Sequence, residues 1–177
     1  MDDIVKQALA KWPNVPACWG WLGLDVRGNW WLRDAQTQAQ GRFPCSKGTK
    51  LEHEKLLAFI ARNYEATEQG QWFFQNGPQR VYVELERAPM VWRIHEDGSV
   101  MSHTQMRVEH VQQCVMDEEG YLYLQCDGVF GVVHSQDMLF AAQQIEQGAW
   151  HVEEISAAEL PQRFGFVLSP ERSTGGQ

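Results

Sequence analysis

The residues best suited to bind a ligand lie in one polar segment between two apolar runs. Gln75, Asn76, Gln79 and Arg80 surround an Asn-Gly step in the phrase FQNGPQRVYV. Amides offer hydrogen-bond donors and acceptors, and an arginine binds a carboxylate or phosphate through two parallel hydrogen bonds. These four side chains are therefore candidate contacts for a carboxylate, a phosphate or a peptide backbone. The alternative is that Asn76 and Gly77 only turn the chain, because polar residues are the default at hairpin tips.

The tryptophans offer a second kind of candidate site, because most of them fall in predicted strands. Trp19 and Trp21 alternate and are expected on one face, where they would line an aromatic cleft for a sugar or a planar ligand. The neighbours Trp30 and Trp31 must point to opposite faces of a strand, which leaves either of them as the exposed one, and Trp31 joins the ligand-binding candidates. The alternative is that all these rings fill the space between a sheet and its covering helix.

No set of residues with catalytic or metal-binding spacing is recognisable. His103, His110 and Cys114 form the only loose grouping of metal ligands, and nothing supplies the remaining ligands of a zinc or iron site. Glu84 and Glu86 share a strand face, as a glycosidase pair would, but two such acids are usually solvated. Nucleotide-binding, nucleophile-elbow and zinc-protease motifs are missing from the sequence. We therefore predict no catalytic residue, no metal and no cofactor.

Composition and charge exclude several classes of partner. The 177 residues carry a formal net charge of -8, from 15 basic and 23 acidic side chains, and the basic ones are scattered. This balance argues against nucleic acid as a partner. No run approaches the roughly 20 apolar residues of a membrane span, and the acidic start does not resemble a signal peptide. We predict a cytoplasmic protein whose four cysteines stay reduced.

The first half of the chain predicts a helix, a hairpin and a helix before three strands. Apolar spacing predicts a helix over residues 2–12, and Ala17–Arg33 has the alternation of a hairpin. Residues 34–48 are polar and rich in glutamine, which predicts a loop. Thr49 and Glu52 form a capping box for a helix that ends near Tyr64. Three strands then follow within Gly70–Ile94.

The second half predicts further hairpins and one more long helix. The predicted strands are residues 99–103, 108–116, 120–126, 129–133 and 150–155, joined by turns that contain glycine. Ser135 is the expected cap of a helix over Gln136–Gln147. Residues 169–177 are polar and rich in glycine, and we predict a disordered tail.

These elements predict an α+β fold with a mainly antiparallel sheet in two similar units, each covered by one long helix. The predicted units are residues 1–103 and 104–168, followed by the tail 169–177. The segment Glu68–Gln75 aligns with Glu118–Gln125, and each precedes an Asn-Gly or Asp-Gly step and a valine-rich strand. The repetition indicates either a duplication or the repeated use of one hairpin chemistry.

Several phrases resemble those of known protein families. The segment Pro16–Asp25, the triplet Arg62-Asn63-Tyr64 and the phrase FQNGPQRVYVELE resemble a family of short, uncharacterised proteobacterial proteins. The order of features, with Glu86 and Arg87 before Ala-Pro, more distantly resembles a second uncharacterised bacterial family. That second family has an α/β fold of two similar halves and a suggested signalling role. Neither resemblance implies a catalytic residue.

Three hypotheses for function follow. The preferred one is a non-enzymatic cytoplasmic module that binds a small molecule or a protein, with a role in signalling or regulation. The second is a small hydrolase or isomerase of unfamiliar type, with Arg80 as the anion anchor and a histidine or glutamate as the base. The third is a structural protein that forms homodimers through the edges of its strands.

Overall fold

The chain folds into two units, each built on one six-stranded sheet. A computed structural model describes residues 1–174. Unit 1 comprises Met1–Asp25, Asn29–Glu86 and the chain from Gly165 onward, and unit 2 comprises Val26–Gly28 and Arg87–Phe164. Across residues 1–174, none of the helices has both the length and the apolar character that a membrane crossing requires.

The sheet of unit 1 is mixed. Its strands are β1 (Cys18–Leu24), β2 (Trp30–Leu32), β3 (Thr49–Lys50), β4 (Tyr64–Ala66), β5 (Trp72–Asn76) and β6 (Gln79–Leu85). Their order across the sheet is β3-β2-β1-β6-β5-β4. The central strands β1 and β6 are parallel, and the other neighbours are antiparallel.

The sheet of unit 2 is also mixed. Its strands are β7 (Met90–Ile94), β8 (Val100–Ser102), β9 (Val111–Met116), β10 (Leu122–Cys126), β11 (Val129–Val133) and β12 (Val152–Glu154). Their order is β12-β9-β10-β11-β7-β8. Strand β11 is parallel to β7, and β12 is parallel to β9. The α+β class with two similar units is therefore confirmed, while both sheets contain parallel as well as antiparallel pairs.

The two units repeat one strand arrangement. The order β2-β1-β6-β5-β4 in unit 1 matches β8-β7-β11-β10-β9 in unit 2, including the parallel pair at its second step. Phe74 opposes Val81 in unit 1, and Leu124 opposes Gly131 in unit 2. The aligned sequence segments end in β5 and β10, which hold the same place. Because hairpin chemistry cannot decide which distant strands pair, the shared order favours duplication over repeated turn chemistry.

Six α-helices accompany these strands in the described chain. They are α1 (Asp3–Lys11), α2 (Ala35–Gln40), α3 (Glu54–Arg62), α4 (Met138–Glu146), α5 (Leu160–Phe164) and α6 (Pro170–Thr174). A 3-10 turn at Ser135–Asp137 precedes α4. The ring of Phe59 in α3 lies edge-on to Phe74 of β5, with centroids 5.5 Å apart. The coverage of each sheet by one long helix stays a prediction.

Several element bounds differ from those expected from the sequence. Thr49 and Lys50 pair with β2 as a strand, so α3 begins later, and the His53 imidazole accepts a hydrogen bond from the Leu56 N–H at 3.4 Å. The predicted loop 34–48 contains α2, because the Asp34 carboxylate accepts a hydrogen bond from the Thr37 N–H at 2.8 Å and caps a helix.

The unit boundaries also differ from the predicted division at residues 103 and 104. The chain leaves unit 1 after Glu86, and the strands β7 and β8 belong to unit 2. The connection through Ala88 and Pro89 is short, but it leads to the other sheet instead of closing a hairpin. Within the predicted disordered tail, residues 170–174 form α6, whereas residues 175–177 lie outside the described residues.

Glu84 is a buried carboxylate in unit 1, which corrects the expectation that it is solvated. The residue is 4 % exposed, and its Oε1 accepts a hydrogen bond from the Glu171 N–H at 3.2 Å. Burial raises the pKa of Glu84, and the hydrogen bonds from Ser169 and Glu171 only partly oppose this effect. The ionised carboxylate is therefore less favourable in the folded protein than in the unfolded chain.

We expect Glu84→Gln to raise the melting temperature by a few degrees at pH 8. The raised pKa means that the folded state binds more protons than the unfolded state above the ordinary glutamate pKa of about 4.3. The contribution of Glu84 to stability therefore falls as the pH rises through that window. The variant and the wild type should melt alike near pH 4, where the carboxyl group is protonated. Thermal melting across this pH range is the measurement, and a pH-independent difference would contradict the assignment.

Candidate functional site

The two faces of the unit 1 sheet carry different side chains. Directly opposed residues of paired strands share a face, and neighbours along a strand alternate. Leu22 opposes Leu32 and Val83, and Phe74 opposes Val81, so these residues lie on one face, which we call the groove face. The helix α3 lies on this face, because Phe59 contacts Phe74.

An open apolar groove of about 530 Å³ lies on the groove face. Its floor comes from β1, β2, β5 and β6, and one wall comes from α3 and the residues before it. The lining includes Trp21, Leu32 and Leu56, which are 43 %, 46 % and 37 % exposed. Among the described residues that line it, none carries a charged side chain. Its volume lies within the usual range of small-molecule sites.

A bulge in β1 places the neighbouring side chains of Trp21 and Leu22 at the groove. Cys18 opposes Val81 and Leu22 opposes Val83, so β1 has more residues than β6 between these two pairs. Gly20 adopts a φ of 78° within this bulge, a conformation that side chains disfavour. The bulge separates Trp19 from Trp21, which were expected on one face. Trp21 lines the groove, whereas Trp19 stacks on Tyr82, with ring centroids 5.2 Å apart.

Two of the predicted candidates, Asn76 and Gln79, line one end of the groove. They oppose each other across the two-residue turn of the β5–β6 hairpin. Gly77 alone takes a positive φ there, of 57°, so Asn76 stays in the strand. The Gln79 Nε2 donates to the Pro16 carbonyl oxygen at 3.1 Å, which fixes the amide plane. The apolar groove therefore ends in two neutral amides.

The other two ligand-binding candidates of this hairpin, Gln75 and Arg80, lie on the opposite face of the sheet. Gln75 is 1 % exposed and its Nε2 donates to the Gly77 carbonyl oxygen at 3.0 Å. The Arg80 guanidinium lies 4.2 Å from the ring centroid of Phe73. The structure therefore divides the predicted set of four into two pairs, because adjacent strand residues point to opposite faces.

Trp31 belongs to a polar cluster on that opposite face. Its Nε1 donates to the Asp25 carboxylate at 2.9 Å, and the Lys47 Nζ lies 5.6 Å from its ring centroid. Lys47 also pairs with Glu86 at 3.0 Å. Trp31 is half-buried and hydrogen-bonded, and the structure does not bring it together with Asn76 or Gln79.

The equivalent surface in unit 2 is closed by a tryptophan. Trp92 takes the place of Leu22 and Gly131 the place of Val81, as the paired registers show. Trp92 is fully buried, and its Nε1 donates to the Leu124 carbonyl oxygen at 2.9 Å. A Cβ at position 131 would lie 2.5 Å from that Nε1, so the indole needs glycine there. One repeat is filled where the other is open.

Sequence reasoning missed most of the apolar lining. Leu56 lies in the predicted helix that ends near Tyr64, where an apolar residue is expected to face the core, but it is more than a third exposed. Leu32 and Cys18 were not singled out. The alternation of the hairpin strands identifies which residues share a face, but exposure depends on how far α3 extends over the sheet. These side chains are uncovered because α3 covers only part of the groove face.

The fold and the groove define a class, an α+β protein of two similar units with an open apolar groove in unit 1. The chain belongs to DUF2944, a family described as "Protein of unknown function (DUF2946)", whose model matches residues 1–171. The predicted membership of an uncharacterised family is thereby confirmed. No curated protein matches the sequence.

Two solved structures resemble this fold. One is a DUF1285 family protein from Silicibacter pomeroyi DSS-3, determined at 2.50 Å resolution, with a TM-score of 0.50 and 10 % sequence identity. The match spans 76 % of this chain and 74 % of the chain of that protein. A DUF1285 family protein from Shewanella baltica OS155, at 1.40 Å, has a TM-score of 0.49 and 15 % identity, and covers 71 % of this chain and 92 % of its own. At these identities the likeness concerns the fold alone.

Proposed function

We propose that this protein is a non-enzymatic binding module that holds a small apolar molecule in the groove of unit 1. The observation that carries the proposal is the open groove, where Trp21, Leu32 and Leu56 are all more than a third exposed around a cavity of about 530 Å³. Transfer of apolar surface out of water is favourable, so a solvent-exposed apolar groove favours an apolar occupant.

The unit 2 counterpart supports a binding role for the groove. The same strand arrangement is filled by Trp92, so the fold does not require an opening at this place. A groove that a single larger side chain closes in the other repeat is best explained by an occupant from outside the chain. The proposed site therefore takes Asn76 and Gln79 from the sequence-predicted set, and Arg80, on the opposite face, is not part of it.

The chemistry of the lining supports binding over catalysis. Cys18 is the one nucleophilic side chain among the described residues that line the groove. Burial raises the pKa of its thiol, which lowers the fraction of reactive thiolate at neutral pH. We further propose a cytoplasmic location, where the four free cysteines would stay reduced, and a role in signalling or regulation.

Leu32→Ser is expected to weaken binding of the neutral dye Nile red about fivefold, with little effect on stability. Leu32 is 46 % exposed, so its loss removes contacts with a ligand more than contacts with the core. The apolar surface that the ligand no longer buries would cost about 1 kcal/mol of binding free energy, which corresponds to this factor. Dye titration followed by fluorescence, beside thermal melting, is the measurement.

Leu139→Ser is the matched control, because Leu139 in unit 2 is 67 % exposed and is not part of the groove lining. This variant should bind the dye as the wild type does. Equal dye affinity of both variants and the wild type would place the binding site elsewhere.

In a Cys45→Ser background, saturating dye should also slow alkylation of Cys18 by iodoacetamide. Light scattering on the same samples tests the homodimer hypothesis, and a dimer that Leu32→Ser dissociates would replace the ligand with a second copy.

A further inference from the structure

We infer that the ligand of the groove is an uncharged amphiphile, an alkyl chain that ends in a neutral carboxamide, with its head group against Asn76 and Gln79. This inference rests on the proposed function and names the chemical class of the ligand. It follows from the charge of the lining, the position of the two amides and the comparison with unit 2.

The lining is apolar along its length and neutral at its end. Leu22, Leu32 and Val81 are apolar side chains, and Asn76 and Gln79 carry the only amide side chains among the described lining residues. A charged head group entering such a groove would lose hydration without gaining an opposite charge, which is costly. A neutral head group gives up less hydration and finds partners in the amides.

The two amides have hydrogen-bonding capacity for such a head group. The Gln79 Nε2 donates to the Pro16 carbonyl oxygen at 3.1 Å, so the amide plane is held while its Oε1 can accept a hydrogen bond from an N–H. Asn76 is exposed at the rim and offers both a donor and an acceptor. Together they match a carboxamide, which carries one acceptor oxygen and an N–H donor.

The hairpin itself does not require amides at these positions. In unit 2, Cys126 opposes Val129 across the corresponding turn, where Asn76 opposes Gln79 in unit 1. An apolar pair therefore suffices to flank this turn, and the amides occur where the groove is open. A contact with the head group of a ligand accounts for that difference.

Three probes of equal chain length test the inference by isothermal titration calorimetry at pH 7. These are octanamide, which is neutral, octanoate, which is anionic, and octylamine, which is cationic. Octanamide is expected to bind at least tenfold more tightly than either charged probe. The double variant Asn76→Leu/Gln79→Leu should lose about tenfold in octanamide affinity, because two hydrogen bonds to the head group are removed.

The control variant is Arg80→Ala, which changes a neighbouring side chain on the opposite face and should leave octanamide binding unchanged. Circular dichroism and thermal melting establish that each variant folds. Octanoate or octylamine binding as tightly as octanamide would overturn the neutral head group while leaving the proposed function intact. Unchanged affinity of the double variant would overturn the role of the amides. Binding of neither the probes nor Nile red would overturn the proposed function itself.

Discussion

The double variant Leu22→Trp/Val81→Gly is expected to lose at least tenfold in ligand affinity while it retains a folded unit 1. It transfers the closure seen in unit 2, where the Trp92 indole lies over Gly131 and donates to the Leu124 carbonyl oxygen at 2.9 Å. In unit 1 the corresponding acceptor is the carbonyl oxygen of Phe74. An indole in the groove would occupy the volume that the ligand needs.

The single variants provide the control for this experiment. Val81→Gly alone removes a buried side chain and should lower the free energy of unfolding by about 1–3 kcal/mol. Addition of Leu22→Trp should recover part of that loss, because the indole fills the space over the glycine. Titration with Nile red and urea unfolding measure the two effects, and the pair forms a double-mutant cycle. A double variant that binds the dye as tightly as the wild type would show that the groove is not the site.

Arg33→Met is expected to produce the largest loss of stability, about 4 kcal/mol. The Arg33 side chain is 1 % exposed and its guanidinium donates to three carbonyl oxygens, those of Ser46 at 3.0 Å, Gly20 at 2.9 Å and Gly41 at 2.6 Å. It thereby joins the bulge of β1 to the segment after α2. Each charged hydrogen bond contributes about 1.5–3 kcal/mol, and relief of the buried charge offsets part of the total.

Arg62→Met is the matched control within unit 1. Arg62 is mostly exposed and pairs with Asp2 at 3.2 Å, a surface interaction that contributes about 0–1 kcal/mol. Urea unfolding should therefore show a clear fall in the midpoint for Arg33→Met and almost none for Arg62→Met. Because Arg33 holds the bulge that carries Trp21, its loss should weaken dye binding as well. Equal midpoints for the two variants would rule out Arg33 as a structural anchor.

Local sequence predicted the types of most elements. The hairpin Ala17–Arg33 contains β1 and β2, and the three strands of Gly70–Ile94 are β5, β6 and β7. These segments carry β-branched and aromatic residues between turns that contain glycine. Such signals depend only on residues that are close together in the sequence. The helix over residues 35–40 was missed, because its sequence carries no apolar stripe and its main signal is the Asp34 cap.

The candidate site depended on tertiary structure to a greater degree. The amides at Asn76 and Gln79 were found from their type and position beside a turn. The alternation of strand residues already implied that Gln75 and Arg80 point the other way, but which face is open is not a local property. The bulge at Gly20, which separates Trp19 from Trp21, is held in part by the buried Arg33 side chain.

Local sequence therefore accounts for most of the elements, the acidic balance and the repeated segments that end in β5 and β10. Long-range packing sets three further features: β1 pairs in parallel with β6, β7 begins a second sheet, and α3 leaves part of the groove face uncovered. The physical reason is distance along the chain. The groove joins side chains from residues 18–32, 51–60 and 74–81, and such contacts form only when those segments pack together.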